Sequence, residues 1–178
     1  MTISKDQNRF ETLTVVKSSL ITLYIALILP IPFLAFNDFR VISLIVFLIG
    51  LFLICNITND YVRTTDNNIS YVTSPISSLL GKKSWILLWK DIKTIKKLIT
   101  SQGSNVYYFI SKDNKKFLFP QRIEKFDNFI QLIHKQTGLE TKEMKYLAPL
   151  WTYKILTLIS LTMIIGEILT LLTRGYQY

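Results

Sequence analysis

Several residue types that carry chemistry are scarce in this sequence of 178 residues. Its one cysteine, Cys55, excludes a disulfide framework and a thiolate metal site. Its one histidine, His134, has no second histidine or clustered carboxylate near it in sequence to complete a metal site. None of the six glycines follows the spacing of a phosphate-binding loop, and no serine lies in a GxSxG elbow. We therefore predict a protein that is not an enzyme and that binds no metal or cofactor.

Acidic residues are also few. The chain has 12 Asp and Glu against 21 Lys and Arg, which gives a formal net charge of +9. No helix–turn–helix or RNA-binding signature accompanies the basic residues, so nucleic acid is not predicted as a partner. The mean hydropathy of +0.31 is high for a soluble protein. High hydropathy together with positive charge indicates a membrane protein.

Three long apolar runs account for the hydropathy. Residues 18–36 and 41–57 contain no charge, and residues 149–173 contain only Lys154 and Glu167. A helix needs about 20 apolar residues to cross a bilayer. We therefore predict a transmembrane helical hairpin over residues 18–57 and a C-terminal transmembrane helix over residues 148–173.

The predicted hairpin has a short connection and two prolines in its first arm. Asn37–Arg40 joins the two apolar runs. Pro30 and Pro32 would kink or end the first helix near Leu29, which moves its expected start back to about Leu13. The alternative is a re-entrant hairpin that enters and leaves the bilayer on one face. Both versions return the chain to the side on which it started.

Orientation follows from the distribution of cations. Residues 1–17 contain three Lys or Arg and residues 58–147 contain fifteen, whereas the hairpin tip has only Arg40 and residues 174–178 only Arg174. Cytoplasmic loops carry an excess of Lys and Arg. We therefore predict that residues 1–17 and 58–147 are cytoplasmic (stromal in a photosynthetic membrane) and that the tail, residues 174–178, lies outside.

The central segment, residues 58–147, has the pattern of a small β domain. Its β-prone runs are Tyr61–Asp66, Ile69–Thr73, Ser84–Trp89, Ile92–Ile99, Val106–Ser111 and Lys115–Phe119. In Ile92–Ile99 the apolar residues recur every third position, so a helical turn is an alternative there. Residues 121–138 have helical spacing, and Gly138 supplies a C-cap. The pattern predicts an antiparallel sheet closed by one helix.

The order of these segments resembles bacterial PH-like domains, which are often tethered to membranes. The matching residues are Ile69–Thr73, Leu80–Lys83, Ile86–Trp89, Asp91–Ile95 and Phe119–Gly138. The resemblance covers residues 60–139 and implies a PH-like fold. A hairpin followed by a PH-like domain is also similar, more loosely, to the photosystem I assembly factors, although the present chain has a third, C-terminal span.

A lysine-rich stretch, residues 81–97, is the candidate binding surface. Its candidate residues for lipid headgroups or a partner are Lys82, Lys83, Lys90, Lys93, Lys96, Lys97, Trp85 and Trp89. Lysines near an acidic leaflet attract anionic headgroups, and an acidic protein is an alternative partner. A solvated polar face with no partner would give the same pattern.

Glu167 is the most unusual residue of the third span, because a carboxylate inside a membrane is costly and is usually paired or functional. One interpretation is that Glu167 lies near enough to the outer interface to be hydrated or protonated. The other is that it bonds to a neighbouring helix, with Gly166 allowing close approach. We therefore treat Glu167 and Gly166 as candidates for intramembrane helix pairing.

These expectations together predict a multi-pass α+β membrane protein. Its function would be that of a non-catalytic, membrane-anchored PH-like interaction or assembly module, with membrane lipids and a membrane protein as partners. Two alternatives stay open at this point: a sensor of anionic lipid headgroups, and an accessory or assembly subunit of a larger membrane complex, of which a photosynthetic complex is one example.

Overall fold

The computed structural model describes residues 8–101 and 103–175. They form two compact units. The β unit consists of residues 8–13 and Asn59–Pro149, and the helical unit consists of Thr14–Thr58 and the described residues from Leu150 onward. The predictions for Lys5 and for the tail beyond Gly175 lie outside the described residues.

The β unit contains two antiparallel sheets. The first has four strands in the order β1 (Asn8–Glu11), β2 (Tyr61–Thr64), β3 (Asn68–Val72) and β4 (Trp85–Leu88). The second has three, β5 (Ile92–Ile99), β6 (Asn105–Ser111) and β7 (Lys116–Leu118). A short 3-10 helix, Trp89–Asp91, connects the two sheets. The expected α+β composition is therefore confirmed.

One amphipathic helix, α5 (Phe126–Thr137), contributes to the core of the β unit. Phe126, Phe129 and Ile133 recur at helical spacing and are buried. They pack in one cluster with residues of both sheets, including Phe109 and Phe119. The helix ends as predicted at Gly138, which has a left-handed φ of 68° that suits glycine.

The helical alternative for Ile92–Ile99 is wrong, because the segment is strand β5. Its period of three has a local cause. A register irregularity between Ile92 and Thr94 interrupts the pairing of β5 with β6. An extra residue in one strand changes which side chains face the core. Ile92 and Ile95 therefore both pack into the core despite their odd spacing.

Two elements of the β unit were not expected from the sequence. Strand β1 comes from the segment assigned to a separate N-terminal region, and it pairs with β2. Its Phe10 is 7% exposed and contributes to the core. The second element is the short helix α4 (Pro75–Leu79), with Ser74 as N-cap. Ser before Pro is a helix-start signal, so α4 was detectable in the sequence.

The helical unit contains α1 (Thr14–Ile28), α2 (Pro30–Leu34), α3 (Asn37–Ile57) and α6 (Leu150–Gly175). Among the described residues, three stretches are long and apolar enough to cross a membrane: Thr14–Leu34, Asp38–Ile57 and Leu150–Thr173. The first begins earlier than residue 18, as the proline argument expected. The link between α2 and α3 is shorter than Asn37–Arg40, because α3 already begins at Asn37.

Candidate functional site

A buried carboxylate, Asp60, organises the loop between β3 and β4. The Asp60 side chain is 5% exposed. Its Oδ1 accepts the backbone N–H of Ser74 at 2.8 Å, and its Oδ2 accepts the Tyr71 hydroxyl at 3.0 Å and Lys82 Nζ at 2.8 Å. The Ser77 side chain also bonds to the carboxylate. These bonds fix the loop, residues 73–84, to the start of β2.

This environment shifts the pKa values of Asp60 and Tyr71. Burial alone would raise the pKa of Asp60, but the hydrogen bonds from Lys82, Ser74 and Ser77 and the charge of Lys82 outweigh it, so the pKa lies below 3.8. Burial, followed by the neighbouring Asp60 charge, raises the pKa of Tyr71. At neutral pH the pair is therefore a carboxylate that accepts a bond from a neutral phenol.

Lys82, a predicted headgroup ligand, is thus engaged inside the protein. Its side chain remains 50% exposed while Nζ bonds to Asp60. The other five candidate lysines, Lys83, Lys90, Lys93, Lys96 and Lys97, are exposed, and within the described chain none of them forms an ion pair. They do not form a single patch. Lys96 lies opposite Tyr108 and Lys97 opposite Tyr107 in the β5–β6 pairing, so the two lysines point to opposite faces of the sheet.

Both candidate tryptophans belong to the core cluster or pack against it. Trp89 is 5% exposed, and its indole N–H donates to the Thr65 carbonyl at 2.8 Å. Trp85 is half-buried and stacks on Tyr71 with the ring centroids 6.0 Å apart. Because Trp89 has almost no free surface, we do not assign it a contact with lipid or with a partner.

Strand β4, Trp85–Leu88, has apolar side chains on both faces, and the two faces have different surroundings. Leu87 faces the core and is 5% exposed, whereas Ile86 is 71% exposed. Leu79 and Leu80, at the end of α4, are 86% and 67% exposed. These three side chains lie before and after the Lys82–Lys83 turn. The loop between β3 and β4 therefore presents apolar side chains and lysines together, which the sequence analysis did not anticipate.

Glu167 lies on α6 beside a cavity of the helical unit. The cavity has a volume of about 470 Å³ and is lined by Pro30, Leu34, Met163, Gly166, Glu167, Thr170 and Leu171. Within the part of the chain that the structure describes, Oε2 of Glu167 is buried and has no hydrogen-bond partner. Most of the other lining residues are apolar, so the carboxyl group is the strongest acceptor in the cavity wall.

Gly166 leaves the adjacent surface of α6 open. A Cβ built at Gly166 would meet no atom within 4 Å in the described chain. Gly50 on α3 differs, because a Cβ there would collide with the hydroxyl and ring of Tyr24. The space beside Gly50 is thus filled by Tyr24 of the same chain, whereas the space beside Gly166 is open to a group from another molecule.

Among the described residues, no group of three or more His, Cys, Asp or Glu side chains is arranged to hold a metal ion. His134 is exposed, and its Nδ1 lies 2.7 Å from the carbonyl oxygen of Leu139, just beyond the end of α5. This contact lies at the C-terminal end of α5.

Comparison with known proteins gives one relative. No protein-family model and no solved structure match the chain. The chain is similar to a cyanobacterial protein. It is 29% identical over 155 residues to the uncharacterized protein slr0269 of Synechocystis sp., across 84% of this chain and 78% of that protein. A match of this length includes residues of both the β unit and the helical unit.

Proposed function

We propose that this chain is a non-catalytic, membrane-anchored interaction module that assembles a membrane-protein partner at the cytoplasmic or stromal face. The observation that carries the proposal is Glu167, whose Oε2 is buried without a hydrogen-bond partner among the described residues. It lies inside the candidate span Leu150–Thr173. A donor from a second protein would complete this group.

The cost of such a residue supports a partner. A charged side chain at the centre of a membrane helix costs about 3 kcal/mol on insertion scales. A hydrogen bond between helices recovers about 1 kcal/mol in lipid. A Glu167 that forms a hydrogen bond across an interface therefore costs less than one that faces lipid. The cavity beside Pro30 and Thr170 gives the incoming side chain room to approach.

Gly166 supports contact with a helix in particular. Small residues let two helix backbones approach closely in the membrane, where packing rather than the hydrophobic effect drives association. Gly166 has this property and is not covered by other described residues of the chain. Glu167 and Gly166 would thus supply the polar bond and the close approach at one place on α6.

The β unit is proposed as the PH-like part of the module. Its seven strands in two antiparallel sheets, followed by the single helix α5, support this assignment. The cation distribution supports a position on the cytoplasmic or stromal side. In this arrangement the β unit would present a surface to the soluble part of the partner while α6 binds within the bilayer.

The proposal is tested by native mass spectrometry of the full chain extracted from its own membrane in mild detergent. We expect a species heavier than the 20.7 kDa of the single chain. Glu167→Leu should release the partner, because it removes the hydrogen-bonding group. Glu167→Gln should retain part of the complex, because the amide can still form hydrogen bonds.

Thr162→Val is the matched control on the same helix. Its hydroxyl donates to the Leu158 carbonyl within α6, so no external partner is expected there. The control should leave the mass of the complex unchanged. A Glu167→Leu complex as heavy and as abundant as the wild type would contradict the proposal.

A second candidate function is recognition of anionic lipid headgroups. The observation in its favour is the exposure of Lys83, Lys90 and Lys93 without ion-pair partners in the described chain. In the same mass spectra it predicts bound anionic lipid that is lost on Lys93→Glu, with no protein partner. The remaining alternative, an accessory subunit of a photosynthetic complex, is compatible with similarity to a cyanobacterial protein.

A further inference from the structure

The loop between β3 and β4 exposes two adjacent leucines that no described part of the β unit covers. Leu79 is 86% exposed and Leu80 is 67% exposed. Ile86, on the strand after the loop, is 71% exposed. Isolated apolar side chains are common on protein surfaces, whereas adjacent exposed ones such as Leu79 and Leu80 are typical of contact surfaces.

The leucines are held in this exposed position by an ordered loop. Ser74 caps α4 by accepting the Ser77 N–H at 3.1 Å. At the other end, Gly81 has a φ of 88°, and its N–H donates to the Ser78 carbonyl at 3.0 Å. Ser77 is fully buried on the opposite side of α4. The end of α4 therefore buries Ser77 and exposes Leu79 and Leu80.

The bonds to Asp60 would confine this loop near the membrane if α3 crosses it. Asp60 is three residues beyond Ile57, the last residue of α3. Three residues of extended chain cover at most about 10 Å. Because Ser74, Ser77 and Lys82 are bonded to Asp60, the loop stays close to the point at which α3 would leave the bilayer.

The charges of the loop match a lipid surface. Residues 73–84 contain Lys82 and Lys83 and no acidic residue. Lysine side chains at a membrane interface keep their ammonium groups among the headgroups while their apolar neighbours enter the acyl boundary. Lys83 is exposed and free for this role, whereas Lys82 also ties the loop to Asp60.

We infer that the loop is an interfacial anchor: Leu79 and Leu80 insert into the lipid interface of the membrane that holds the chain, and Lys83 contacts the headgroups. This inference rests on the membrane anchoring in the proposed function and not on the protein partner.

The inference is tested by spin labelling of the full chain in vesicles of phosphatidylcholine and phosphatidylglycerol. Cys55→Ala first removes the native thiol. Single labels are then placed at Leu80→Cys in the loop, Asp113→Cys in the β6–β7 turn and Leu161→Cys in α6. Collisions with oxygen, which concentrates in lipid, are compared with collisions with a water-soluble nickel complex.

The label at position 80 should have an oxygen-to-nickel collision ratio several-fold higher than the label at position 113, approaching the ratio at position 161. A label at position 80 that is as accessible to nickel as the one at position 113 overturns the inference. A label shielded from both reagents also overturns it, because it shows burial against protein.

The label at position 161 distinguishes failure of the loop contact from failure of the membrane anchoring. If it is shielded from nickel while position 80 is not, the anchoring stands and the loop contact fails. If position 161 is itself accessible to nickel, both are overturned. Lys83→Glu should lower the ratio at position 80 in vesicles that contain phosphatidylglycerol and change it less in pure phosphatidylcholine, because the lysine acts through anionic headgroups.

Discussion

At the scale of single residues, Asp60 determines the shape of the loop between β3 and β4. Its carboxylate accepts bonds from Tyr71, Ser74, Ser77 and Lys82 while it is almost fully buried. Removing either the buried acceptor or its donors costs more stability than one hydrogen bond contributes, because the remaining polar group is left buried and unpaired. The position of Leu79 and Leu80 therefore depends on one carboxylate.

Asp60→Ala should destabilise the β unit by about 2 to 3 kcal/mol, because it leaves the hydroxyls of half-buried Tyr71 and buried Ser77 without their acceptor. Thermal unfolding followed by the fluorescence of the core tryptophans measures this loss. Asp113→Ala, in the exposed β6–β7 turn, is the control and should change stability by less than about 0.5 kcal/mol. Equal stability of the Asp60 variant and the control would contradict the network.

The same carboxylate predicts a dependence on pH. Because the pKa of Asp60 in the folded chain lies below 3.8, its contribution to stability is complete above that value and is lost as the pH falls through the folded pKa. Asp60→Asn cannot ionise and lacks this contribution at every pH. The unfolding temperatures of wild type and Asp60→Asn should therefore converge as the pH is lowered below 3.8. A difference that stays constant across this range would show that ionised Asp60 contributes nothing.

Individual residues differ in whether the sequence alone marks them as important. Glu167 was identifiable because a carboxylate in an apolar run is unusual on any reading, and Gly138 because glycine after an amphipathic stretch is a helix stop. Asp60 was not identifiable. It is one acidic residue in a polar linker, and its partners come from positions 71 to 82, which only the strand pairing brings together.

At the scale of elements, the packing of α1 against α3 depends on one glycine. Tyr24 of α1 donates its hydroxyl to the Phe47 carbonyl at 2.9 Å and stacks on the Phe47 ring with centroids 5.7 Å apart. The ring occupies the space above Gly50. The hydrogen bond and the stacking therefore both require that residue 50 has no side chain.

Gly50→Ala should displace Tyr24 and destabilise the helical unit by about 1 kcal/mol, the value of the hydrogen bond it breaks. Thermal unfolding in detergent, followed by far-ultraviolet circular dichroism, measures the change. Gly166→Ala is the matched control in the purified single chain without a partner, since its Cβ meets no atom of the described chain. In a Tyr24→Ala background the Gly50 substitution should lose its cost. A cost that persists there would show that Gly50 acts in another way.

The elements were predictable wherever their periodicity is regular. Helix α5 and the three long apolar stretches follow from spacing and length alone. Strand β5 was ambiguous because its register irregularity disguises a strand as a helical repeat. Strand β1 could not be predicted, because α1, α2 and α3 separate it in sequence from its partner β2.

At the scale of the whole molecule, the chain interleaves two units. The β unit begins before the first candidate span, resumes after the second and ends before the third. If the candidate spans cross a membrane, the β unit can form only when both of its segments are on the same side of that membrane. Pairing of β1 with β2 would then require that the spans Thr14–Leu34 and Asp38–Ile57 return the chain to the side where it began.

The central claim is that the β unit lies on the cytoplasmic or stromal side of a membrane that the helical unit crosses. A lysine-specific protease tests it most directly, because every lysine except Lys154 belongs to residues 1–17 or 58–147. In sealed vesicles with the outer face exposed, the chain should stay intact. In inverted vesicles the same protease should cut the lysine-rich middle. Cleavage of the middle from the outer face would contradict the account.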